Sequence, residues 1–208
     1  MSTEARTHEI AELFEYLRAH NATHRDKVRF AGFGVLLDPP SLVRWYWQEV
    51  KDKAPYVAKA RAVYSLVRDL PHRPNDRDYA ITEQDARQIR SFYTAFSLPE
   101  DQNWVYRDAR VAENVRWWHS FTRNKVIYWA ASAHTANAPR LRVSEPPVAF
   151  RSAGSYLRAW YGDRYRSIGC TFDHGTTLGP LTMPPAPADW FDVVLHARTV
   201  TPTQPLVS

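Results

Sequence analysis

One cysteine, Cys170, occurs in 208 residues, so the chain can form no internal disulfide. Set in Ile168-Gly169-Cys170-Thr171-Phe172, it reads as a small buried hydrophobe with no activating base beside it in sequence. Long apolar runs are missing too. Val126–Ala131 and Val193–Leu195 are among the longest, far short of the roughly 20 residues that cross a bilayer. The start, Met-Ser-Thr-Glu-Ala-Arg-Thr-His-Glu, has neither the basic beginning nor the apolar run of a secretory signal. A cytoplasmic location without membrane association is the expectation. No run of consecutive Lys or Arg occurs, and even Arg25, Lys27 and Arg29 are interrupted by Asp26 and Val28. The formal charge of +5 therefore reads as a solvated basic surface, and nucleic acid is disfavoured as a partner. G-x-S-x-G, G-x-G-x-x-G and the P-loop are all absent, which argues against the commonest serine hydrolase architecture and against nucleotide cofactors. No cofactor is expected.

The sequence contains alternating helical and strand-like segments. Ile10, Leu13, Phe14 and Leu17 repeat at helical spacing, with Thr7 placed to cap, and predict a helix over residues 9–19. Val28–Leu36 is a short apolar run with glycines near its end, as in a buried strand entering a loop. Helical spacing resumes from Pro40 to Leu70 with a break at Pro55, and again from Thr82, read as a cap, to Pro99. Trp104–Phe121 is a further helix. It leads at once into Lys125–Ala130, whose β-branched and aromatic content predicts a central strand. A helix over 152–161 and strands over 165–172 and 191–197 complete the pattern, with a proline-rich loop at 179–187. Strands separated mostly by helices predict one α/β domain over residues 1–208, with a parallel or mixed β-sheet flanked by helices.

Polar residues that share one region concentrate in the unit from Arg107 to His134. Arg107, Val111 and Asn114 are spaced by four and three on one helix and share a face. The following strand delivers His134 into the loop at its C-terminal end, where open α/β sheets place ligands. His134 reads either as a general acid or base or as a loop histidine of no special role. His119 reads as a satisfied, half-buried histidine, and His174 as a loop residue. His20 and His24 are four apart but lack a third ligand, so no metal site is expected.

Four blocks resemble the erythromycin esterase family, whose members hydrolyse the ester that closes a macrolide ring. Arg107-Asp108-Ala109-Arg110-Val111-Ala112-Glu113-Asn114-Val115 is similar to the family's R-D-x-x-M-A-E-N-V. Val126-Ile127-Tyr128-Trp129-Ala130-Ala131-Ser132-Ala133-His134 resembles the strand that ends in W-A-H-N-x-H. Gly154-Ser155-Tyr156-Leu157 with Tyr165–Thr176 resembles the G-S-Y-L helix and the strand after it, and Phe191–His196 the last strand. The resemblance runs from about residue 7 to residue 201. It implies an incomplete version of the family's α/β domain, and by position it retains Arg107, Glu113, Asn114 and His134 as site residues. Family members are longer at the N-terminus. There they carry a G-E-x-x-H-G-T-x-E block, whose histidine the resemblance identifies as the water-activating base, and a later glutamate. Neither block nor glutamate has a counterpart here. Ala131 and Ser132 stand where the family has histidine and asparagine, and Ala31-Gly32-Phe33-Gly34 where it has Y-G-F-D.

The expected function follows from this balance. A macrolide or other ester would be the small-molecule substrate, with a role in antibiotic resistance. Activity would be impaired, or would depend on a second chain supplying the missing N-terminal segment. The alternative is a non-catalytic module binding a small molecule or protein through aromatic residues such as Trp117, Tyr128 and Trp129.

Overall fold

The computed structural model describes residues 7–32, 40–143, 148–175 and 190–201. It divides into two compact units. In the smaller one the described residues fall within Met1–Gly32, Cys170–Met183 and Leu195–Ser208; in the larger they fall within Phe33–Gly169 and Pro184–Val194.

Helix α1, His8–Thr23, opens the smaller unit as its spacing predicts, and the Thr7 hydroxyl accepts from Ile10 N at 3.4 Å. The residues after it do not form the expected strand. Asn21 instead clamps the chain by donating to Val28 O and accepting from Val28 N, both at 2.8 Å. This local pairing takes up the backbone N–H and C=O of Val28, which a ladder would need. Phe30 rests edge-on against Phe14, and Val28 and Phe30 remain exposed. The remainder of that expected strand, residues 33–36, lies outside the described residues.

Two later strands, β3 (Ile168–Gly175) and β4 (Val193–Val200), are hydrogen-bonded neighbours where strands were expected. Their bond partners Thr171 and His196, and His174 and Thr199, are each 25 residues apart in sequence. A constant offset of this kind marks parallel pairing, with the long connection that a parallel crossover requires. His174 therefore lies in a strand, not in a loop. Cys170 is exposed on β3, not buried, because side chains alternate along a strand and its buried neighbour is Gly169.

The larger unit is mostly helical. Between α2, Pro40–Arg44, and α3, Ala54–Arg68, the chain makes a wide π-helical turn over Trp45–Glu49. This turn buries Tyr46 among Phe92, Ala95 and Phe96, which lie beyond α3 at the end of the helix that follows it. The Tyr46 hydroxyl donates to Tyr93 O, and burial, with help from Tyr93 and Tyr56, pushes its pKa up to about 12. The stretch 40–70 is divided into two helical pieces as expected, and the division falls just before Pro55, which sits in the first turn of α3 where its missing N–H costs nothing. Helix α4, Arg77–Ala95, starts before the expected Thr82: Asp76 caps it by accepting from Tyr79 N at 3.0 Å. Thr82 is interior and its hydroxyl bonds back to Asp78 O. Helix α5, Glu100–Thr122, ends at Arg123 in a left-handed conformation (φ 58°).

The segment Lys125–Ala130 that follows is extended, with Val126 and Tyr128 packed on the core around Ala112, Val115, Ala153 and Leu157. Ile127 (90% exposed) and Trp129 (68% exposed) project from the other face. This is strand geometry without a sheet, since residues 125–130 make no backbone hydrogen bond among the described residues. The expected central strand is corrected to an unpaired one. Its side-chain pattern is local, but a strand also needs a neighbour to bond.

A turn of helix, α6 (Ser132–Thr135), leads to a short hairpin, with β1 (Leu141–Val143) and β2 (Val148–Phe150) antiparallel in the register Leu141 opposite Phe150. Helix α7, Ala153–Tyr161, is capped by the Ser152 hydroxyl, which accepts from Ser155 N. The fold class is thus α/β, helices flanking small sheets, with the parallel pair β3 and β4 among them.

Asp192, just before β4, fastens the end of the larger unit. It accepts from Arg158, from Ser167 N at 2.7 Å and from Arg166 Nη1 at 3.1 Å. The Arg158 and Ser167 bonds, with Arg166, hold its carboxyl down at about 2, below its ordinary 3.8. A folded-state value below the unfolded one gives stability that is present above the unfolded value and is lost as pH falls through the folded one. The difference in urea midpoint between wild type and Asp192→Asn is therefore expected to be constant near neutral pH and to shrink as pH drops from about 4 to about 2. A difference that stays constant across that window would refute the assignment.

Candidate active site around His134 and Asp108

Helix α5 presents Asp108, Ala112 and Val115 at spacings of four and three, one buried stripe facing α7. A carboxylate on such a stripe needs partners, because burying a charge without them is costly. Asp108 is 1% exposed and accepts from Ala153 N at 2.8 Å, at the first turn of α7. Both of its oxygens lie 3.0 Å from His134 Nδ1.

The turn carrying His134 is fixed from below. Tyr165 Oη and Ser167 Oγ both donate to Thr135 O, at 2.5 and 2.6 Å, and Ser152 Oγ donates to Ala136 O at 2.5 Å. Gly154 permits this closeness, since a Cβ there would stand 2.1 Å from Thr135 O. The His134 ring lies near-parallel to Trp104, with centroids 6.0 Å apart, and near Phe150 at 6.2 Å. A carboxylate at Nδ1 can only accept, so Nδ1 carries the proton and Nε2 keeps its lone pair in the neutral ring. The side chain of His134 is 23% exposed, which leaves an approach for a solvent molecule or substrate.

The other expected site residues divide. Arg107 shares Trp104 with His134: its guanidinium lies 5.4 Å from the Trp104 ring centre and 5.6 Å from that of Phe96. Burial lowers its pKa, with Asp108 and Tyr128 opposing that shift. Glu113 faces along its own helix and accepts from Arg110 at 2.6 Å, 41% exposed and not in contact with His134. Asn114 is buried and accepts from Gln84 Nε2 at 2.9 Å, joining α5 to α4. The aromatic trio does not form one pocket: Trp117 stacks on Phe121, while Tyr128 and Trp129 face opposite sides of their segment. His119 is half-buried and meets Tyr161 Oη at 3.2 Å, as read from its place on the helix, and His20 stacks on His24 at the surface. Among the described residues no three His, Cys, Asp or Glu side chains converge as a metal site requires. None of the described helices is long and apolar enough to cross a membrane.

Asp108 was not among the residues expected to act, although it follows Arg107 in the same block. Its signal was positional: it lies four residues before Ala112 and seven before Val115, a charged group on an apolar stripe.

Residues 43–204, well over half of the chain, match the profile of the erythromycin esterase family. The chain belongs to the erythromycin esterase family. A crystal structure of a Bacillus cereus protein is similar in fold (TM-score 0.64) at 22% identity, covering 81% of this chain and 50% of its own. A crystal structure of a succinoglycan biosynthesis protein is similar at TM-score 0.69 and 17% identity, covering 96% of this chain and 72% of its own. This family member thus spans half the length of the Bacillus cereus structure. No curated protein matches it. Against the family's W-A-H-N-x-H, its Ala131 occupies the cap position of α6 and Ser132 begins that helix, so only His134 of that block brings an imidazole to Asp108.

Proposed function

We propose that the region around His134 is a divergent ester hydrolase centre whose activity is slight in this chain alone. The observation that carries this reading is the contact of both Asp108 oxygens with His134 Nδ1, which leaves Nε2 as the available base. In the proposed step, Nε2 takes a proton from water as the oxygen adds to the ester carbonyl. Arg107 stabilises the resulting oxyanion. Collapse then breaks the carbon–oxygen bond to the alcohol, which receives the proton from Nε2, and leaves an acid. Asp108 acts as a positioning residue that holds the tautomer and the ring.

Two features support weak activity. Ala131 and Ser132 replace polar family residues, and Asn114 is engaged by Gln84. Completion by further polypeptide is part of the same proposal, supported by the backbone of residues 125–130, which is unpaired among the described residues, and by the exposed Ile127 and Trp129. A macrolide lactone is the proposed substrate of the completed site.

The test uses aryl esters and macrolides with the 208-residue chain. Slow aryl ester hydrolysis is expected, with little or no macrolide opening. His134→Gln keeps a donor for Asp108 but supplies a far weaker base, and should lower turnover about a hundredfold or more. Arg107→Ala should lower it by roughly two to three orders of magnitude. Turnover unchanged in His134→Gln would remove the assigned base, and robust macrolide opening by the unassisted chain would remove the claim of impairment. A chain that binds macrolides yet hydrolyses neither class would be the non-catalytic module instead, a reading that Ala131 and Ser132 favour.

A further inference from the structure

We propose that Arg107 and Tyr128 form a subsite for a single carboxylate on an otherwise apolar molecule, with the Tyr128 hydroxyl as the second donor. The inference rests on the location of the candidate site but not on hydrolysis there.

A half-buried guanidinium set against aromatic rings keeps its planar fork of donors for an acceptor that reaches it, and the strongest such acceptor is a carboxylate. Arg107 has none: it makes no hydrogen bond or ion pair among the described residues, and its contacts are the rings of Trp104 and Phe96. Asp108 is the adjacent anion, but its oxygens are taken by His134 Nδ1 and Ala153 N. The planar fork of donors is therefore unspent, and it matches a planar carboxylate better than a point acceptor.

Tyr128 is placed to assist. Its ring packs on the cluster of Ala112, Val115, Ala153 and Leu157, so it lies against the helix that carries Arg107, and its hydroxyl makes no hydrogen bond among the described residues. Tyr165 in the same cluster spends its hydroxyl on Thr135 O. Burial first, and then the charge of Asp108, raise the pKa of Tyr128, so the phenol remains a donor at neutral pH; Arg107 acts on it in the opposite sense. The Asp108 charge would repel an anion, but its hydrogen bonds from His134 and Ala153 direct its oxygens toward those donors. Trp104 and Phe96 supply apolar walls beside the guanidinium, which favours an aromatic or alkyl carboxylate over inorganic phosphate.

Benzoate is the probe, with benzamide as its neutral counterpart, and binding is followed by titration calorimetry on the full chain. Benzoate is expected to bind about tenfold or more tightly than benzamide. Arg107→Gln should weaken benzoate about tenfold with little change for benzamide, and Tyr128→Phe should weaken it about fivefold with an unchanged melting temperature. His134→Gln should leave benzoate binding within about twofold of wild type, which separates this subsite from the hydrolytic reading. No benzoate binding at tens of millimolar, equal affinity for benzoate and benzamide, inorganic phosphate bound as well as benzoate, or binding indifferent to both Arg107→Gln and Tyr128→Phe would each overturn the proposal.

Discussion

Replacing Asp108 by alanine is expected to lower the stability of the chain by about 2 to 4 kcal/mol, because it strips partners from two donors at once. The Ala153 N–H is buried at the start of α7 and has no other acceptor nearby among the described residues. His134 Nδ1 loses both carboxylate oxygens, although its 23% exposure allows water to offset part of that loss. A cavity the size of the carboxylate adds to the cost. Asp108→Asn keeps one acceptor but turns an amide N–H toward a second donor, so a smaller loss of about 1 to 2 kcal/mol is expected. Urea denaturation at neutral pH measures both. Nitrogen NMR of the His134 ring supplies a readout that packing alone would not move: wild type should be Nδ1-protonated, and Asp108→Asn should show a mixture of tautomers. An alanine variant within about 0.5 kcal/mol of wild type would show that the contact is not part of what holds α5, α6 and α7 together.

What the sequence disclosed follows the range of the interactions involved. Thr7 before α1 and Ser152 before α7 are local devices, a hydroxyl meeting an N–H three residues on; spacing marks Thr7 as a cap, whereas Ser152, expected as the first residue of its helix, caps it instead. The expected cap of α4, Thr82, lies six residues after the actual one, Asp76, because by composition a threonine caps as well as an aspartate. Residues 125–130 show the opposite limit. Their alternation was visible and the structure keeps it, with Val126 and Tyr128 inward and Ile127 and Trp129 outward. Whether such a segment joins a sheet depends on a neighbouring strand that its own residues do not specify. The site divides along the same line. Arg107 and His134 were visible as residues worth attention, and both lie against Trp104. Helical spacing alone could not show that Asn114 turns to Gln84 or that the partner of His134 is Asp108.

Gly154→Ala is expected to cost about 3 kcal/mol or more, enough to leave a marginal fold unfolded at ambient temperature. A Cβ at Gly154 would lie 2.1 Å from Thr135 O, 2.4 Å from Ala136 O and 2.5 Å from Thr135 C. All three are backbone atoms, so no side-chain rotation relieves the overlap. Either α7 moves away or the turn carrying His134 moves. The turn is tied by Tyr165, Ser167 and Ser152, and α7 by the Ala153–Asp108 bond and by Leu157 in the core. Gly162→Ala provides the comparison. Its Cβ would meet nothing within 4 Å, but its φ of +56° with ψ of −132° lies in a positive-φ region taken almost only by glycine, where a side chain costs about 1 to 3 kcal/mol. Urea midpoints should therefore fall in the order wild type, Gly162→Ala, Gly154→Ala. Because the strain in Gly154→Ala is transmitted to Thr135, the ring of His134 should lose its fixed relation to Asp108 before global unfolding, visible as broadened imidazole resonances. A Gly154→Ala protein as stable as Gly162→Ala, with sharp His134 resonances, would mean that α7 does not press on the turn that carries the site.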